Sequence, residues 1–383
     1  MRTSSVLGEF HATFLAEYWQ RKPLLLRQAF PGGLDAIDGD ELAGLACSEG
    51  VESRLVLEKG AKPWEMRQGP FSEQDFRQLP ESHWTLLVQA VDRLVPEVSA
   101  LRRHFSFIPN WRMDDVMISF AADQGSVGPH TDNYDVFLIQ GRGRRRWEIG
   151  TKPLEDPELL SDLDMKILKH FEAEQSWVLE PGDMLYIPPR FAHHGVALGE
   201  SITYSIGFRA PTQRDMLLSY IQFLSQHLSE DVFYRDPSLE LGREPARILS
   251  SELEGLWALM QQAWNQPHLF HRWVGGFLTE PRSFHETAQE PLELKEFATW
   301  LAEGDAWEWA EGVNVSYFTE EGTLYFAAEG ETLVLKIELM PLVQLLCSEA
   351  SMTSLELLAF RHLDGAGSLL LHLYNEGLLR PVE

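Results

Sequence analysis

The chain has few cysteines, few basic residues and no long apolar run, and each shortage excludes a class of protein. Its 383 residues include two cysteines, Cys47 and Cys347, so we expect neither a disulfide framework nor a thiolate metal site. No segment approaches the roughly 18–20 apolar residues of a membrane-spanning helix, and the N-terminus lacks the apolar core of a signal peptide. We therefore expect a cytoplasmic protein without a membrane-bound part.

Basic residues are outnumbered by acidic ones. Lys and Arg total 32 against 58 Asp and Glu, which gives a formal net charge of −26. Because binding to a phosphate backbone requires a basic surface, we expect no direct contact with nucleic acid. The charge would suit a basic partner protein, although solubility alone would also account for it.

Three kinds of sequence pattern follow one another along the chain. The first hundred or so residues predict mostly helices, among them ELAGLACSEGVESRL and HWTLLVQAVDRLVPEVSALRRHF. From about Trp111 to Pro211, short runs bounded by Gly and Pro are typical of strands in an antiparallel sandwich or barrel. The pattern then becomes helical again, with two further short strands predicted at TLYFAAEG and ETLVLKIE.

The segment GPHTDNYDVF contains a His-x-Asp pair, His130 and Asp132. On an extended strand, side chains two positions apart face the same side, so these two would point to one place. A histidine from the later strand end EPGDMLYIPPRFAHHG would complete a facial triad, which leaves three positions open on Fe(II). Of the adjacent His193 and His194, one can face that point, and we expect His193 there and His194 nearer the surface.

The run GRGRRRWEIG is separated into two faces by strand periodicity. Arg145 falls with Trp147 and Ile149, so we expect it inside, whereas Arg144 and Arg146 would form a solvated edge. A buried guanidinium requires an anion, and Arg suits bidentate binding of a carboxylate. A purely structural salt bridge is the alternative.

The strand DDVMISF places Asp115, Met117 and Ser119 on one face, which we expect to line a cavity. Ser119 would share the anion with Arg145 as a hydroxyl donor. Asp115 would attract a cation, unless it lies in water at the strand end. Tyr134 would cover a substrate as an aromatic wall, unless it packs in the core.

Together, GPHTDNYDVF, GRGRRRWEIG, EPGDMLYIPPRFAHHG and YSIGFRAP resemble the JmjC-type ribosomal oxygenases, and among these most closely the bacterial arginine hydroxylases. The resemblance is densest over 111–211 and extends more weakly over the whole chain. It implies an α+β protein with a double-stranded β-helix (a jelly-roll or cupin-like JmjC barrel), N-terminal helices, a helical dimerisation region and a C-terminal winged-helix-like domain.

The implied domains are a JmjC oxygenase domain with its N-terminal helical part at 1–211 (barrel core about 97–211), a dimerisation region at 212–290 and the winged-helix-like domain at 291–383. Winged helices often bind DNA, but residues 291–383 contain 16 acidic and 4 basic residues. We therefore expect this last domain to have an interaction or structural role, and the whole chain to form a homodimer.

The resemblance also implies a reaction. Fe(II) would be held by His130, Asp132 and His193, and the 5-carboxylate of 2-oxoglutarate by Arg145 and Ser119. With O₂, 2-oxoglutarate would be converted to succinate and CO₂ while a hydroxyl is added to the β-carbon of an arginine in large-subunit ribosomal protein number sixteen. The residues that would bind this basic substrate are Asp115, Met117, Tyr134 and Ser205.

Two alternatives stay open at this point. A histidine hydroxylase or a demethylase acting on another basic protein would use the same metal site, but a neutral imidazole would have less use for Asp115. A cupin-like barrel without chemistry would be a dimeric binding protein, yet it would not need the internal guanidinium of Arg145.

Overall fold

The structure is a computed structural model that describes residues 6–58, 63–161, 163–228, 232–236, 239, 244–281 and 290–382. Its N-terminal part alternates helices and strands. In chain order these are α1 (His11–Glu17), β1 (Leu24–Leu26), α2 (Gly39–Ala46), β2 (Ser53–Leu57), β3 (Glu65–Gln68), α3 (Glu73–Arg77), β4 (Trp84–Val88) and α4 (Pro96–Leu101).

The prediction that this part is mostly helical was wrong, because SRLVL and WTLLV form strands β2 and β4. Nearly every residue of both strands is buried, since one face packs on the core and the other lines a cavity. Such strands show no alternation, and a short apolar run cannot be told from a helix by periodicity.

Two antiparallel sheets form the barrel. Its strands are β5 (Met113–Ala121), β6 (Asp135–Arg142), β7 (Arg145–Pro153), β8 (Gln175–Leu179), β9 (Met184–Ile187), β10 (Phe191–Ala197) and β11 (Ser201–Phe208). The larger sheet has the order β1-β9-β6-β11-β5-β4-β2-β3, and the smaller one has the order β10-β7-β8. This pairing is the double-stranded β-helix that the resemblance implies.

The main core lies on the outer face of the larger sheet. Val116, Ile118 and Phe137 are fully buried there against Phe14 and Phe105 from the N-terminal part. The residues that alternate with Val116 and Ile118 on β5 therefore face inward, as the strand pattern predicts.

The C-terminal half begins with α5 (Gln213–His227), α6 (Ser250–Trp264) and α7 (Pro267–Thr279). It continues with α8 (Leu294–Glu303), β12 (Ala306–Trp309), β13 (Val315–Glu320), β14 (Thr323–Ala328), β15 (Glu331–Leu335), α9 (Met340–Ser348), β16 (Ser351–Thr353), α10 (Ser354–Leu358), α11 (Ala366–Asn375) and β17 (Leu379–Pro381). The strands predicted at TLYFAAEG and ETLVLKIE are confirmed as β14 and β15. Residues 282–289, next to the predicted boundary at 290, lie outside the described residues.

No helix in the described ranges is both long enough and apolar enough to cross a membrane.

Candidate active site

Three potential metal ligands meet between the two sheets. His130, Asp132 and His193 each offer one ligand atom, and these atoms lie within 4.8 Å of one another. Asp132 Oδ2 is 3.5 Å from His193 Nε2 and 3.9 Å from His130 Nε2. Two imidazoles and one carboxylate converging in this way form a donor set that suits Fe(II) with open coordination positions.

Backbone hydrogen bonds hold the two histidines side by side. The amide of His130 donates to the carbonyl of His193 at 3.0 Å, and the amide of His193 donates back at 2.9 Å. The Nδ1 atom of each ring lies 2.9 Å from a backbone carbonyl, that of Gly128 and that of Phe191 respectively. These carbonyls accept the Nδ1 protons, so the Nε2 lone pairs are available for a metal.

The sequence pattern predicted that the His-x-Asp pair lies on a strand, and this prediction was wrong. His130 makes a single bridge, and β6 begins three residues after Asp132. Pro129 has no amide to donate to a ladder, and Gly128 has a positive φ of 80°. The pair is nevertheless correctly oriented, because the amide of Arg190 donates to the carbonyl of Asp132 at 2.6 Å.

Burial keeps the distal histidine neutral. His193 is 2% exposed. Burial, with a smaller contribution from His130, lowers the pKa of His193 to about 4, while Asp132 acts in the opposite direction. The neutral ring is the form that binds a metal.

His194 lies on the other side of β10. Its Nδ1 atom is 3.4 Å from Oε2 of Glu148, the residue opposite it in register on β7. Burial lowers the pKa of His194, and Glu148 opposes that shift. The structure therefore brings His193, and not His194, to the other two candidate ligands.

Arg145 is a buried cation without a carboxylate partner in the described part of the chain. It is 2% exposed, and its Nη atoms donate to the hydroxyl of Ser119 at 3.3 Å and the carbonyl of Gly195 at 3.4 Å. Nε has no hydrogen-bond partner. Burial lowers the pKa of Arg145 to about 10, so it stays charged at neutral pH. The alternative of a structural salt bridge is thus wrong within the described residues, and the site suits an anion.

The residues predicted to bind a substrate lie around the same space. Asp115 is 5% exposed, and its Oδ2 accepts the amide of Ala90 at 2.9 Å, so the alternative of a carboxylate in water is wrong. Ser205 lies opposite Met117 in register. Tyr134 is 39% exposed, which rules out the alternative that it packs in the core.

A cavity of about 390 Å³ joins these groups. Its lining includes all nine residues predicted from the sequence, namely Asp115, Met117, Ser119, His130, Asp132, Tyr134, Arg145, His193 and Ser205. Sequence reasoning missed Arg54 on β2, Thr85 on β4 and the segment 164–167 between β7 and β8. Arg54 and Thr85 could not be predicted to line a cavity, because the segments that contain them had been predicted to be helices.

The fold and this site define a JmjC-type β-helix protein with a cluster suited to a divalent metal. A family model for the JmjC domain matches residues 100–216, and one for the ROXA-like winged helix matches residues 258–380. Ribosomal protein uL16 3-hydroxylase from Escherichia coli is 42% identical over 280 residues, which cover 73% of this chain and 74% of the relative. A probable ribosomal oxygenase from Haemophilus influenzae is 37% identical over 249 residues, 62% and 58% of the two chains. The chain therefore belongs to the JmjC-type ribosomal oxygenases, and the resemblance predicted from the motifs is confirmed.

Solved structures agree over almost the whole length. The X-ray structure of E. coli YcfD matches with a TM-score of 0.84 at 35% identity, covering 96% of this chain and 97% of that one. YcfD, a ribosomal oxygenase, has also been solved in complex with cobalt and 2-oxoglutarate, and that structure matches with a TM-score of 0.81 at 35% identity over 96% and 97% of the two chains.

Proposed function

We propose that this chain is an Fe(II)- and 2-oxoglutarate-dependent hydroxylase that adds a hydroxyl group to the β-carbon of an arginine in ribosomal protein uL16. The observation that carries the proposal is the buried guanidinium of Arg145, which lacks a carboxylate in the described chain and lines the same cavity as the His–Asp–His cluster. The comparisons support the substrate and cosubstrate, since a relative from E. coli is a uL16 3-hydroxylase and the similar structure of E. coli YcfD was solved with cobalt and 2-oxoglutarate.

In this proposal one group of cavity residues binds the metal and another binds 2-oxoglutarate. His130, Asp132 and His193 hold Fe(II), whereas Arg145 and Ser119 hold the 5-carboxylate of 2-oxoglutarate. When the metal and 2-oxoglutarate are bound, their reaction with O₂ supplies the oxidising power and leaves succinate and CO₂. The protein residues orient the cosubstrate through a charge-assisted contact with Arg145, which is 2% exposed.

The substrate arginine binds in the part of the cavity that Asp115 lines. The Asp115 carboxylate pairs with its guanidinium, Met117 and Tyr134 contact its aliphatic part, and Ser205 offers a hydroxyl. The net charge of −26 favours the approach of a basic ribosomal protein and disfavours direct binding to nucleic acid. Such a substrate places the enzyme in the cytoplasm.

We further propose the domain division 1–211 (barrel core about 97–211), 212–290 and 291–383, and a homodimer formed by the middle part. Helix α6 has no buried residue, and its exposed apolar side chains recur on one face. They are Leu253, Leu256, Trp257, Met260 and Trp264, joined on α5 by Leu217, Leu218 and Ile221. A second copy of the chain would cover this surface symmetrically.

The experiment that tests the function uses the purified chain with Fe(II), 2-oxoglutarate, O₂ and arginine-containing peptides of uL16. We expect a product about 16 Da heavier with the added oxygen on arginine, together with one succinate per hydroxylation. The matched controls are the Asp132→Ala variant and a peptide with Lys in place of Arg. Oxygen on histidine, or loss of a methyl group, would favour the other oxygenase activities, and binding without succinate would favour a binding protein.

A further inference from the structure

Within the described residues, about half of strand β5 has no strand partner on one of its two sides, the side that the C-terminal half of the chain approaches. Strand β4 pairs with β5 from Ala121 back to Ile118 and then ends at Val88. The part of β5 that carries Asp115 therefore has an open edge on this side. Backbone and side-chain polar groups at such a buried edge need other partners.

The turn formed by residues 90–93 supplies these partners. The amide of Ala90 donates to Oδ2 of Asp115 at 2.9 Å, and Oδ1 of Asp92 accepts the amide of Val116 at 2.9 Å. Asp92 is fully buried, and Ala90 has a positive φ of 51°. An alanine in that conformation persists when its surroundings hold it there, so the shape of the turn depends on what contacts its other side.

Residues of the C-terminal half form that other side. One Nη of Arg102 donates to Asp92 and the other donates to Oδ1 of Asn314, which is 3% exposed. Arg93 forms an ion pair with Glu329 in which neither side chain is more than 9% exposed. Oε1 of Glu329 also accepts the amide of Asn314 at 2.7 Å, so both contacts belong to one buried network.

The close approach of Gly312 adds a steric contact to this network. Its carbonyl accepts from Nη1 of Arg93 at 3.1 Å. A Cβ at Gly312, whose φ is 67°, would lie 2.5 Å from Cγ of Arg93. The turn is thus enclosed between β5 and the residues around 312–314 and 329.

We propose that Asn314 and Glu329 are positioning residues for the substrate side of the active site. They fix the 90–93 turn through Arg102 and Arg93, and the turn fixes the carboxylate of Asp115. This inference rests on the proposed function, in which Asp115 binds the substrate guanidinium. The 2-oxoglutarate side does not depend on the turn, because Ser119 lies where β4 already pairs with β5.

The test compares Asn314→Ala and the nearly isosteric Glu329→Gln with a control in the same half of the chain, Lys336→Ala, which removes an exposed ion pair with Asp364. Three quantities are measured on the full chain loaded with Co(II): hydrogen exchange at the Val116 amide, the Kd of a uL16 arginine peptide and the Kd of 2-oxoglutarate. We expect both variants to exchange faster at Val116 and to bind the peptide about three- to tenfold more weakly. The Kd of 2-oxoglutarate should change less than about twofold, and the control should match the wild type.

The inference is wrong if exchange at Val116 and peptide affinity stay at wild-type values in both variants. It is equally wrong if 2-oxoglutarate affinity falls as much as peptide affinity, because that result would indicate a general structural loss. A wild-type chain that binds no arginine peptide would contradict the proposed function instead, and exchange at Val116 would then still decide whether Asn314 and Glu329 hold the turn.

Discussion

Arg145 is 2% exposed, and within the described chain its guanidinium donates to neutral oxygens alone. A structural role and a ligand-binding role predict opposite effects on stability. Removing one member of a buried ion pair typically costs about 3–5 kcal/mol, whereas burying an unpaired cation is itself unfavourable, so its replacement by an apolar side chain should cost little.

We therefore expect Arg145→Met to leave the free energy of unfolding of the ligand-free chain within about 1 kcal/mol of wild type. The same variant should weaken 2-oxoglutarate binding by roughly 30-fold or more, since a charge-assisted contact is lost. Urea unfolding and calorimetric titration measure the two quantities, with Co(II) affinity as the control. A large loss of stability with unchanged 2-oxoglutarate affinity would assign Arg145 a structural role.

The adjacent histidines His193 and His194 give a second test at the scale of single residues. His193→Ala should abolish Co(II) binding, because it removes one of three converging ligand atoms. His194→Ala should retain binding, since its ring lies beside Glu148 on the other face of β10. Titration with Co(II), followed by its absorption spectrum, checks both, and the reverse order of effects would exchange the roles of the two rings.

Residue-level prediction from the sequence succeeded where side chains alternate along strands. Arg145, Ser119 and Asp115 lie on the faces that a period of two predicts, because a strand fixes side-chain direction without knowledge of its neighbours. Thr85 and Arg54 could not be found in this way. Their place in the cavity depends on which strands pair, a long-range property that no local pattern contains.

At the scale of elements, local sequence patterns predicted the strands of the barrel but not those of the N-terminal part. The barrel strands were predicted because Gly and Pro bound them, whereas β2 and β4 are buried on both faces and have no local signature. The His-x-Asp segment shows that side chains can converge as predicted although the element predicted to carry them is absent. A single bridge to His193 orients His130 without a regular strand.

The packing of β10 on β7 gives a prediction for two glycines of the smaller sheet. A Cβ at Gly195 would lie 2.8 Å from Nε of Arg145 and from the ring of Trp147, whereas a Cβ at Gly150 would meet nothing closer than 3.7 Å. We expect Gly195→Ala to destabilise the chain by about 1–3 kcal/mol and to weaken 2-oxoglutarate binding by displacing Arg145.

Gly150→Ala is the matched control and should stay within about 0.5 kcal/mol of wild type. Both variants are compared by urea unfolding and by 2-oxoglutarate titration. Equal behaviour of the two variants would mean that β10 does not constrain Arg145.

At the scale of the whole molecule, the apolar face of α6 gives a prediction about assembly. Trp257 and Met260 are 60% and 65% exposed, and a second copy of the chain would cover them. The double substitution Trp257→Glu and Met260→Glu should convert a dimer into monomers, since it places charges in an apolar interface. Leu355→Glu is the control, because Leu355 is 81% exposed on α10. Sedimentation equilibrium measures the mass, and a wild-type chain that is already monomeric would contradict the proposed dimer.

Hydroxylation of an arginine of uL16 by this chain can be measured in cells. The measurement is the intact mass of each ribosomal protein from cells that contain the gene and from cells that lack it. We expect uL16 alone to be about 16 Da heavier when the gene is present, with the added oxygen on an arginine. An unchanged mass of uL16, or a shift on a different ribosomal protein, would contradict it.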